Sequence, residues 1–351
     1  MGEEYTRPAS SIVTMLRLIN PIKATVRVLS EAAPRHAYST SAKNSGGTSK
    51  LLTVGLPFGV AAAAAYAYYG DKLGGAPAAA AKAEPAVAAA PKEPIAAALD
   101  PNAFVDFKLK NVQKLTPNTS RFTFELEEGQ NLGLHVASCV VTKFVKEDGK
   151  PVIRPYTPTS DADHTGSFDF VIKRYEGGPM SSHIHSMKPG DTLAVKGPIS
   201  KYPIKTNQHE SVTMIAGGSG ITPMIQIMSG LLKDKEDKTK INLIFANVTP
   251  EDIILKDEID GFAKAHPDRF KVTYVVDKPV DGWKGPTGYV TAELIKKHVP
   301  EIGSGNTKVF VCGPPPMMKS VSGPKGPNFT QGDVDGALKE LGLTNEHVFK
   351  F

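Results

Sequence analysis

The period of the hydrophobic pattern changes once along this chain, and that change constrains the fold more than any other feature. Between residues 103 and 198 apolar and polar residues alternate, as in Phe122-Thr123-Phe124-Glu125-Leu126. From Val212 onward, short runs of β-branched and aromatic residues are separated by helical stretches. Alternation is typical of strands with one buried face, whereas alternating strands and helices build a parallel sheet. The sequence therefore predicts an antiparallel β-barrel or sandwich followed by an α/β domain.

The 351 residues are enough for two domains with separate cores plus extensions. We assign residues 102–206 to the barrel domain and residues 207–351 to the α/β parallel-sheet domain. In the second domain the pattern predicts four strands, at residues 212–216, 241–245, 270–276 and 308–311. It also predicts four helices, at residues 224–232, 252–265, 292–297 and 334–341.

Most of the positive charge lies in residues 1–50. This segment holds seven lysines and arginines against three glutamates, a balance of +4 out of the chain's +5. Basic residues mixed with apolar and hydroxyl residues are typical of a mitochondrial presequence, with a disordered tail as the alternative and Met15 as an alternative start. The rest of the chain has no basic stripe, which argues against nucleic-acid binding.

Residues 51–70 form a run of twenty residues without a charge. A helix of this length spans roughly 30 Å, the thickness of the hydrocarbon layer of a bilayer. We predict an N-terminal transmembrane anchor here, in contact with membrane lipid; a cleaved sorting segment is the alternative. Residues 71–101 are dominated by Ala, Pro, Lys and Glu and lack the large apolar side chains of a core, which predicts a linker.

Neither the cysteines nor the histidines suggest a metal site. Cys139 and Cys312 are too few for a disulfide framework and lack metal-ligand spacing. His183 and His185 lie two residues apart, so a helix would point them in different directions. We therefore expect no metal.

Residues 154–160 combine an arginine, a tyrosine and hydroxyl groups on a strand with two prolines. Alternation places Arg154 and Tyr156 on one face and Thr157 on the other, and the prolines prevent full pairing on both sides. Such a strand suits a ligand, because the arginine fork can grip a pyrophosphate and the tyrosine can pack on a flavin. An edge strand with a surface salt bridge is the alternative.

Two glycine-rich turns precede predicted helices. Gly177-Gly178-Pro179-Met180-Ser181 opens a short helix, whose free N–H groups make an anion site; an ordinary capped helix is the alternative. Gly217-Gly218-Ser219-Gly220-Ile221-Thr222 follows the first strand of the second domain, where three glycines let the backbone approach a phosphate. The spacing departs from Gly-x-Gly-x-x-Gly and no acidic residue ends the next strand, so a standard dinucleotide fingerprint is not met.

Cys312 ends the last predicted strand and is followed by Gly313 and Pro314. At the mouth of the sheet, opposite the second glycine turn, its side chain can contact a nicotinamide ring. A nucleophilic thiol would need a neighbouring histidine, which the sequence lacks at this point. A buried core cysteine is the alternative.

Taken in order, six motifs resemble the ferredoxin-NADP reductase superfamily and, within it, the NADH-cytochrome b5 reductase family. They are Arg154-Pro-Tyr-Thr, Val171-Ile-Lys, Gly177-Gly-x-Met-Ser, Gly217-Gly-Ser-Gly-Ile-Thr-Pro, Phe245-Ala-Asn and Cys312-Gly-Pro-Pro-Pro-Met. The resemblance spans residues 102–351. It implies an FAD-binding barrel and an NADH-binding α/β domain, with the flavin at their junction.

By match of motif, the resemblance implies a role for each site residue. Arg154 would hold the FAD pyrophosphate, and Tyr156 and Thr157 would contact the flavin, with Thr157 the hydrogen-bond partner of its central nitrogen. The other residues implied on the FAD side are Ser160, Val171, Lys173, Gly178, Met180 and Ser181. On the NADH side they are Gly217, Gly218, Ser219, Gly220, Thr222, Gly313, Pro314 and, beside the nicotinamide, Cys312. Thr157 and Cys312 would be the catalytic residues.

Asp277 directly follows the predicted strand 270–276. It stands where the family's adenosine-ribose ligand is expected. A carboxylate there accepts hydrogen bonds from free hydroxyls and repels a 2′-phosphate, so the resemblance implies NADH rather than NADPH.

The presequence, span and linker are similar to those of the fungal mitochondrial members of the family, which implies the mitochondrial outer membrane or the intermembrane space. The implied enzyme is a monomer that passes a hydride from NADH to FAD and single electrons to cytochrome b5 or a similar haem protein. Pro179 stands where relatives often carry a basic residue that faces the acidic partner, so Lys201 and Lys205 are expected to supply that charge. A quinone or another acceptor, and a membrane-tethered scaffold without catalysis, are the alternatives.

Overall fold

The computed structural model describes residues 97–351, so the predicted presequence, transmembrane segment and residues 71–96 of the linker lie outside the described residues. In the part that it describes, none of the helices combines the length and apolar character needed to cross a membrane. The last residues of the predicted linker pack on the first sheet. Ala98 donates a backbone hydrogen bond to Asn131, and Leu99 is only 8% exposed.

The first domain is built on a six-stranded antiparallel sheet, as the alternating pattern predicts. Its strands lie in the order β4-β3-β6-β1-β2-β5. Four phenylalanines from paired strands fill its core, because Phe122 faces Phe170 and Phe124 faces Phe168 in register. The strands are β1 (Val105–Thr116), β2 (Thr119–Glu125), β3 (Ser138–Val145), β4 (Pro151–Tyr156), β5 (Ser167–Lys173) and β6 (Thr192–Ser200).

Strand β4 is an edge strand, which explains how it accommodates Pro155. The other edge of the sheet is β5. The segment after β4 connects the two edges, because the N–H of Thr159 donates to the carbonyl of Asp169 at 2.9 Å. Helix α1 (Pro179–Ser186) buries Met180 and Ile184 in the same core.

The second domain contains a five-stranded parallel sheet in the order β11-β10-β7-β8-β9. Its strands are β7 (Ser211–Gly217), β8 (Lys240–Asn247), β9 (Phe270–Val276), β10 (Thr307–Cys312) and β11 (Val348–Lys350). Its helices are α2 (Ile221–Lys233), α3 (Lys256–Ala265), α4 (Ala292–His298), α5 (Pro315–Ser322) and α6 (Gly336–Glu340). All four predicted strands and all four predicted helices are confirmed within a few residues.

One α-helix and one strand of the second domain were not predicted. Helix α5 begins directly after Pro314 and contains prolines at its first two positions, where they leave no hydrogen bond unmade. Strand β11 has three residues at the end of the chain, too few for a visible alternation.

Helices cover both faces of the parallel sheet. Side chains of α2 and α3 pack on one face, and side chains of α4, α5 and α6 pack on the other. The first of these two cores also contains Ala137 and Val171 of the first domain. The two domains therefore share one continuous apolar contact.

Candidate active site

A cavity of about 720 Å³ opens at the carboxyl ends of the parallel strands. Gly217, Asn247, Asp277 and Pro314 line it, and each of them ends or follows a different strand, β7, β8, β9 and β10. This is the edge at which open parallel sheets bind their ligands. The volume lies within the usual range for small-molecule sites.

The first domain supplies one wall of this cavity. Lys173 at the end of β5 lines the cavity and forms an ion pair with Asp252 of the second domain at 3.4 Å. Two residues further on, Tyr175 lines the cavity as well, and its hydroxyl lies 2.6 Å from that of Ser219. Both domains therefore build the site, through side chains that alternate along one segment.

Tyr175 is a site residue that the sequence reasoning missed. Its position two residues after Lys173 was the available signal, because alternate residues of an extended segment point to the same side. Val171, four residues before Tyr175, belongs to the same series and is buried in the core shared by the two domains.

The three glycines of residues 217–220, the glycine turn, serve different purposes. A Cβ on Gly220 would overlap the carbonyl group of Cys312, and a Cβ on Gly217 would overlap the sulfur of Met317. Gly218 instead has a positive φ of 51° and open space where its Cβ would be. Gly217 and Gly220 therefore allow close packing against the end of β10 and the residues that follow it. Gly218 instead allows a backbone conformation with a positive φ, and it faces open space.

The hydroxyl groups next to the glycine turn are engaged within the protein. Thr222 donates to the carbonyl of Ser219 at 3.3 Å, and Ser219 meets Tyr175. The residues after β10 pack against the glycine turn. Gly313 lies next to Gly217 and next to the sulfur of Met317. Burial raises the pKa of the Cys312 thiol to about 12, so this cysteine is a neutral thiol at physiological pH.

Asp277 lies at the end of the cavity away from β10. Its N–H donates to the carbonyl of Asn247 at 3.1 Å, so the ends of β8 and β9 are held together. Two further carboxylates, Glu293 and Glu340, also line the cavity. The three carboxylates make the cavity unfavourable for an additional phosphate group.

Arg154, on β4, has an exposed guanidinium that donates to the backbone carbonyl of Ile153 at 2.7 Å. Tyr156 is partly buried against Phe170, with ring centroids 5.9 Å apart. Burial first, and the neighbouring Tyr175 second, raise the pKa of Tyr156 to about 12, while Arg154 opposes the shift. Arg154 and Tyr156 stand at the end of β4, and the half-buried Thr157 follows them.

The turn before α1 is held by Ser181. Its hydroxyl accepts from the N–H of Tyr175 at 3.2 Å and donates to the carbonyl of Gly178 at 3.1 Å. The first intrahelical bond of α1 runs from Ser182 to Gly178, so the N–H groups of Met180 and Ser181 precede the helical ladder. The side chain of Met180 is buried and has no donor, so this residue would contribute its backbone N–H to an anion site.

The predicted site residues thus fall into three groups. Those that line the cavity are Lys173, Gly217, Gly218, Asp277 and Pro314. Those that pack behind the cavity are Ser219, Gly220, Cys312 and Gly313, with Gly178 against Tyr175, whereas Arg154, Tyr156 and Thr157 lie at and directly after the end of β4. Those whose side chains serve the fold are Val171, Met180, Ser181, Thr222 and Ser160, whose hydroxyl accepts from the N–H of Asp169 at 3.2 Å.

Two family models match the two domains in the order that the fold shows. The oxidoreductase FAD-binding domain matches residues 106–203, and the oxidoreductase NAD-binding domain matches residues 214–323. Among curated proteins, NADH-cytochrome b5 reductase 2 of Yarrowia lipolytica is 51% identical over 249 residues, which is 71% of this chain and 86% of that protein. Its counterpart in Debaryomyces hansenii is 50% identical, over 71% of this chain and 83% of that protein.

Solved structures give the same fold. The cytochrome b5 reductase domain of Ulva prolifera nitrate reductase matches with a TM-score of 0.64 and 32% identity, over 73% of this chain and all of that domain. The flavohemoglobin of Malassezia yamatoensis has a TM-score of 0.58 at 18% identity, over 71% of this chain and 60% of that protein, a likeness of fold alone.

Proposed function

Because this chain belongs to the NADH-cytochrome b5 reductase family, we propose that it takes a hydride from NADH onto FAD and delivers single electrons to a cytochrome b5-type haem protein. The observation that carries this proposal is the cavity at the carboxyl ends of the parallel strands, with Lys173 and Tyr175 of the first domain as its opposite wall. A nucleotide in that cavity would lie against the first domain, where the family places FAD.

The residues of the first domain fit FAD. Arg154 offers an exposed planar cation next to Tyr156, which suits a pyrophosphate beside a flavin ring. The N–H groups of Met180 and Ser181 at the start of α1 suit the same anion. We therefore assign Arg154, Tyr156, Thr157 and the start of α1 to FAD.

The residues of the second domain fit NADH. The glycine turn and the start of α2 suit the pyrophosphate, and Asp277 suits the adenosine ribose. Asp277 would accept hydrogen bonds from two free ribose hydroxyls and would repel a 2′-phosphate, which favours NADH over NADPH.

No general base or covalent nucleophile is needed for this reaction. Bound FAD supplies the conversion between a two-electron hydride and single electrons. The chain contributes the positions of the two rings, the exclusion of water and the charge around them. Cys312 has its backbone carbonyl against Gly220 and a neutral thiol, which fits a packing role beside the nicotinamide rather than nucleophilic chemistry.

The test is the visible spectrum of the whole chain, purified in detergent and kept anaerobic. We expect a yellow protein whose flavin absorbance is bleached much faster by NADH than by NADPH. Oxidised cytochrome b5 added afterwards should restore the flavin spectrum while its own haem is reduced. A colourless protein would favour the scaffold, and rapid reoxidation by a quinone but not by cytochrome b5 would favour another acceptor.

The location and the docking surface also belong to this proposal. The composition of residues 1–50 and the uncharged residues 51–70 support a mitochondrial protein anchored in the outer membrane, with a form in the intermembrane space. Protease protection and carbonate extraction of isolated mitochondria test this location. The exposed Lys201 and Lys205 support an acidic partner, which charge reversal of these two residues tests.

We propose that the enzyme acts as a monomer. Both walls of the cavity come from one chain, so a second copy is not needed to complete the site. Light scattering of the detergent-solubilised protein, corrected for bound detergent, measures the number of chains.

A further inference from the structure

Helix α2 presents a stripe of polar and small residues to the first domain. Gln226, Ser229, Gly230 and Lys233 have the spacing i, i+3, i+4 and i+7, which places them on one face of the helix. We call these four residues the α2 stripe. The opposite face of the helix consists of apolar side chains that pack on the parallel sheet, among them Met224, Ile227, Met228 and Leu231.

Gln226 and Gly230 of the stripe contact residues 136–138, where the chain enters β3. The side-chain carbonyl of Gln226 accepts a buried hydrogen bond of 2.8 Å from the N–H of Ser138. A Cβ on Gly230 would lie 2.5 Å from a methyl group of Val136. The absence of a side chain at Gly230 therefore lets the helix backbone reach the first domain.

Ser229 and Lys233 of the stripe contact Asp161. Ser229 donates a hydrogen bond to one carboxylate oxygen of this residue, and Lys233 donates to the other. Burial alone would raise the pKa of Asp161, but the hydrogen bonds from Lys233 and Ser229, together with the charge of Lys233, hold it below its usual value. The carboxylate is therefore charged at neutral pH, and this contact weakens only as the pH falls towards that lowered pKa.

These contacts connect the two proposed cofactor segments. Helix α2 begins at the glycine turn, and Asp161 directly follows residues 154–160, which we call the flavin segment. Ser229 lies eight residues after Ile221 on the same helix, which corresponds to a rigid length of about 12 Å along the helix axis. Two other ion pairs cross between the domains, Arg121 with Glu258 and Lys173 with Asp252, but neither of them touches α2.

We propose that the α2 stripe is a rigid spacer and that Asp161 is a positioning residue, which sets the distance between the glycine turn and the flavin segment. The inference rests on the proposed function, because that distance decides how closely the nicotinamide approaches the flavin. Asp161 acts through Ser229 and Lys233 and contacts no reacting atom. A small misplacement of reacting rings slows transfer strongly, while binding of each cofactor to its own domain persists.

The test compares two variants with the wild-type holoenzyme in anaerobic stopped-flow mixing with NADH. Asp161→Asn removes the charge at nearly constant shape, and Lys233→Met removes the cation but keeps the Ser229 bond. We expect the limiting rate of flavin reduction at saturating NADH to fall about tenfold in Asp161→Asn and less in Lys233→Met. The charge-transfer absorbance between NAD+ and reduced flavin, which reports ring stacking, should weaken in the same order, while the FAD content stays the same.

The matched control is Asp335→Asn. Asp335 forms an exposed ion pair with Lys339, 3.6 Å apart, within the second domain. This variant makes the same change of charge away from the domain junction, and we expect its limiting rate to equal that of the wild type within a factor of two.

Two results would overturn the inference. One is an unchanged limiting rate and unchanged charge-transfer absorbance in both α2-stripe variants. The other is a loss of rate that merely follows a loss of FAD, with the remaining holoenzyme reduced at the normal rate. A wild-type protein that NADH does not reduce would instead contradict the proposed function, so the two failures are distinguishable.

Discussion

The hydroxyl oxygen of Tyr175 lies 2.6 Å from the hydroxyl oxygen of Ser219, so a residue of the first domain is bonded to the glycine turn of the second. Tyr175 also lines the cavity and is one cause of the raised pKa of Tyr156. This one contact ties the proposed NADH phosphate site to the proposed flavin site. It predicts that a small change at Tyr175 affects nucleotide binding although the residue belongs to the FAD-binding domain.

Replacing Tyr175 by Phe keeps the ring and removes the bond to Ser219. A hydrogen bond of this kind contributes about 0.5–1.5 kcal/mol, so we expect KM for NADH to rise about two- to tenfold with the FAD content unchanged. Steady-state kinetics measures the effect. Ser219→Ala should give a similar rise, and the double variant should add little to it, because both changes remove the same bond. Fully additive effects would show that the two hydroxyls act separately.

Gly220 and Gly218 should respond differently to alanine. At Gly220 a Cβ would overlap the backbone carbonyl of Cys312, so we expect Gly220→Ala to displace β10 or the turn and to abolish rapid reduction by NADH. At Gly218 there is open space, so Gly218→Ala meets only the strain of a positive φ, about 1–2 kcal/mol. Thermal unfolding and the rate of flavin bleaching compare the two. Equal losses in both variants would contradict the packing role of Gly220.

Asp277 should determine the choice between the two nicotinamide nucleotides. In Asp277→Ser we expect the ratio of kcat/KM for NADH to kcat/KM for NADPH to fall at least about tenfold, because hydrogen bonds to a charged group contribute about 1.5–3 kcal/mol. Asp281→Asn changes the same charge at an exposed position outside the cavity and serves as the control. An unchanged ratio in Asp277→Ser would show that another residue determines the selectivity.

The thiol of Cys312 should be unreactive in the folded protein. Burial raises its pKa from 9.0 to about 12, which leaves about a thousandfold less thiolate than in an ordinary cysteine at the same pH. The neutral thiol favours the folded state below about pH 9, and this contribution is lost as the pH rises through 12. We expect iodoacetamide at pH 8 to label Cys312 only after unfolding, as peptide mass spectrometry can show. Rapid labelling of the native holoenzyme would contradict the raised pKa of this thiol.

Gly261 offers a stabilising substitution away from the site. It lies inside α3, is exposed, and has no atom within 4 Å of the place where its Cβ would be. Gly261→Ala should raise the free energy of unfolding by about 0.4–1 kcal/mol, because alanine loses less backbone entropy in a helix. Thermal unfolding of the holoenzyme measures the gain, and the rate of reduction by NADH should not change. A lower melting temperature would contradict the open space at the position of the added Cβ.

The order of elements could be predicted because local patterns encode it. Phe122 and Phe124 alternate with polar residues and are buried on one side of a sheet, and the four predicted strands of the second domain all form. Helix α5 escaped prediction because Pro315 and Pro316 are unfavourable inside a helix but acceptable in its first turn. A pattern of residue types does not distinguish these two positions.

The sequence by itself determined the two-domain organisation, the family and the set of candidate residues, because periodicity and motif order are properties of neighbours along the chain. Only the tertiary structure decided what each candidate does. Gly220 is close to Cys312, Tyr175 to Ser219, and Asp161 to Lys233, pairs that lie 44 to 92 residues apart along the chain. Such contacts depend on how the sheets pack and on where α2 meets the first domain, and this packing arises from the sum of many apolar contacts rather than from any local motif.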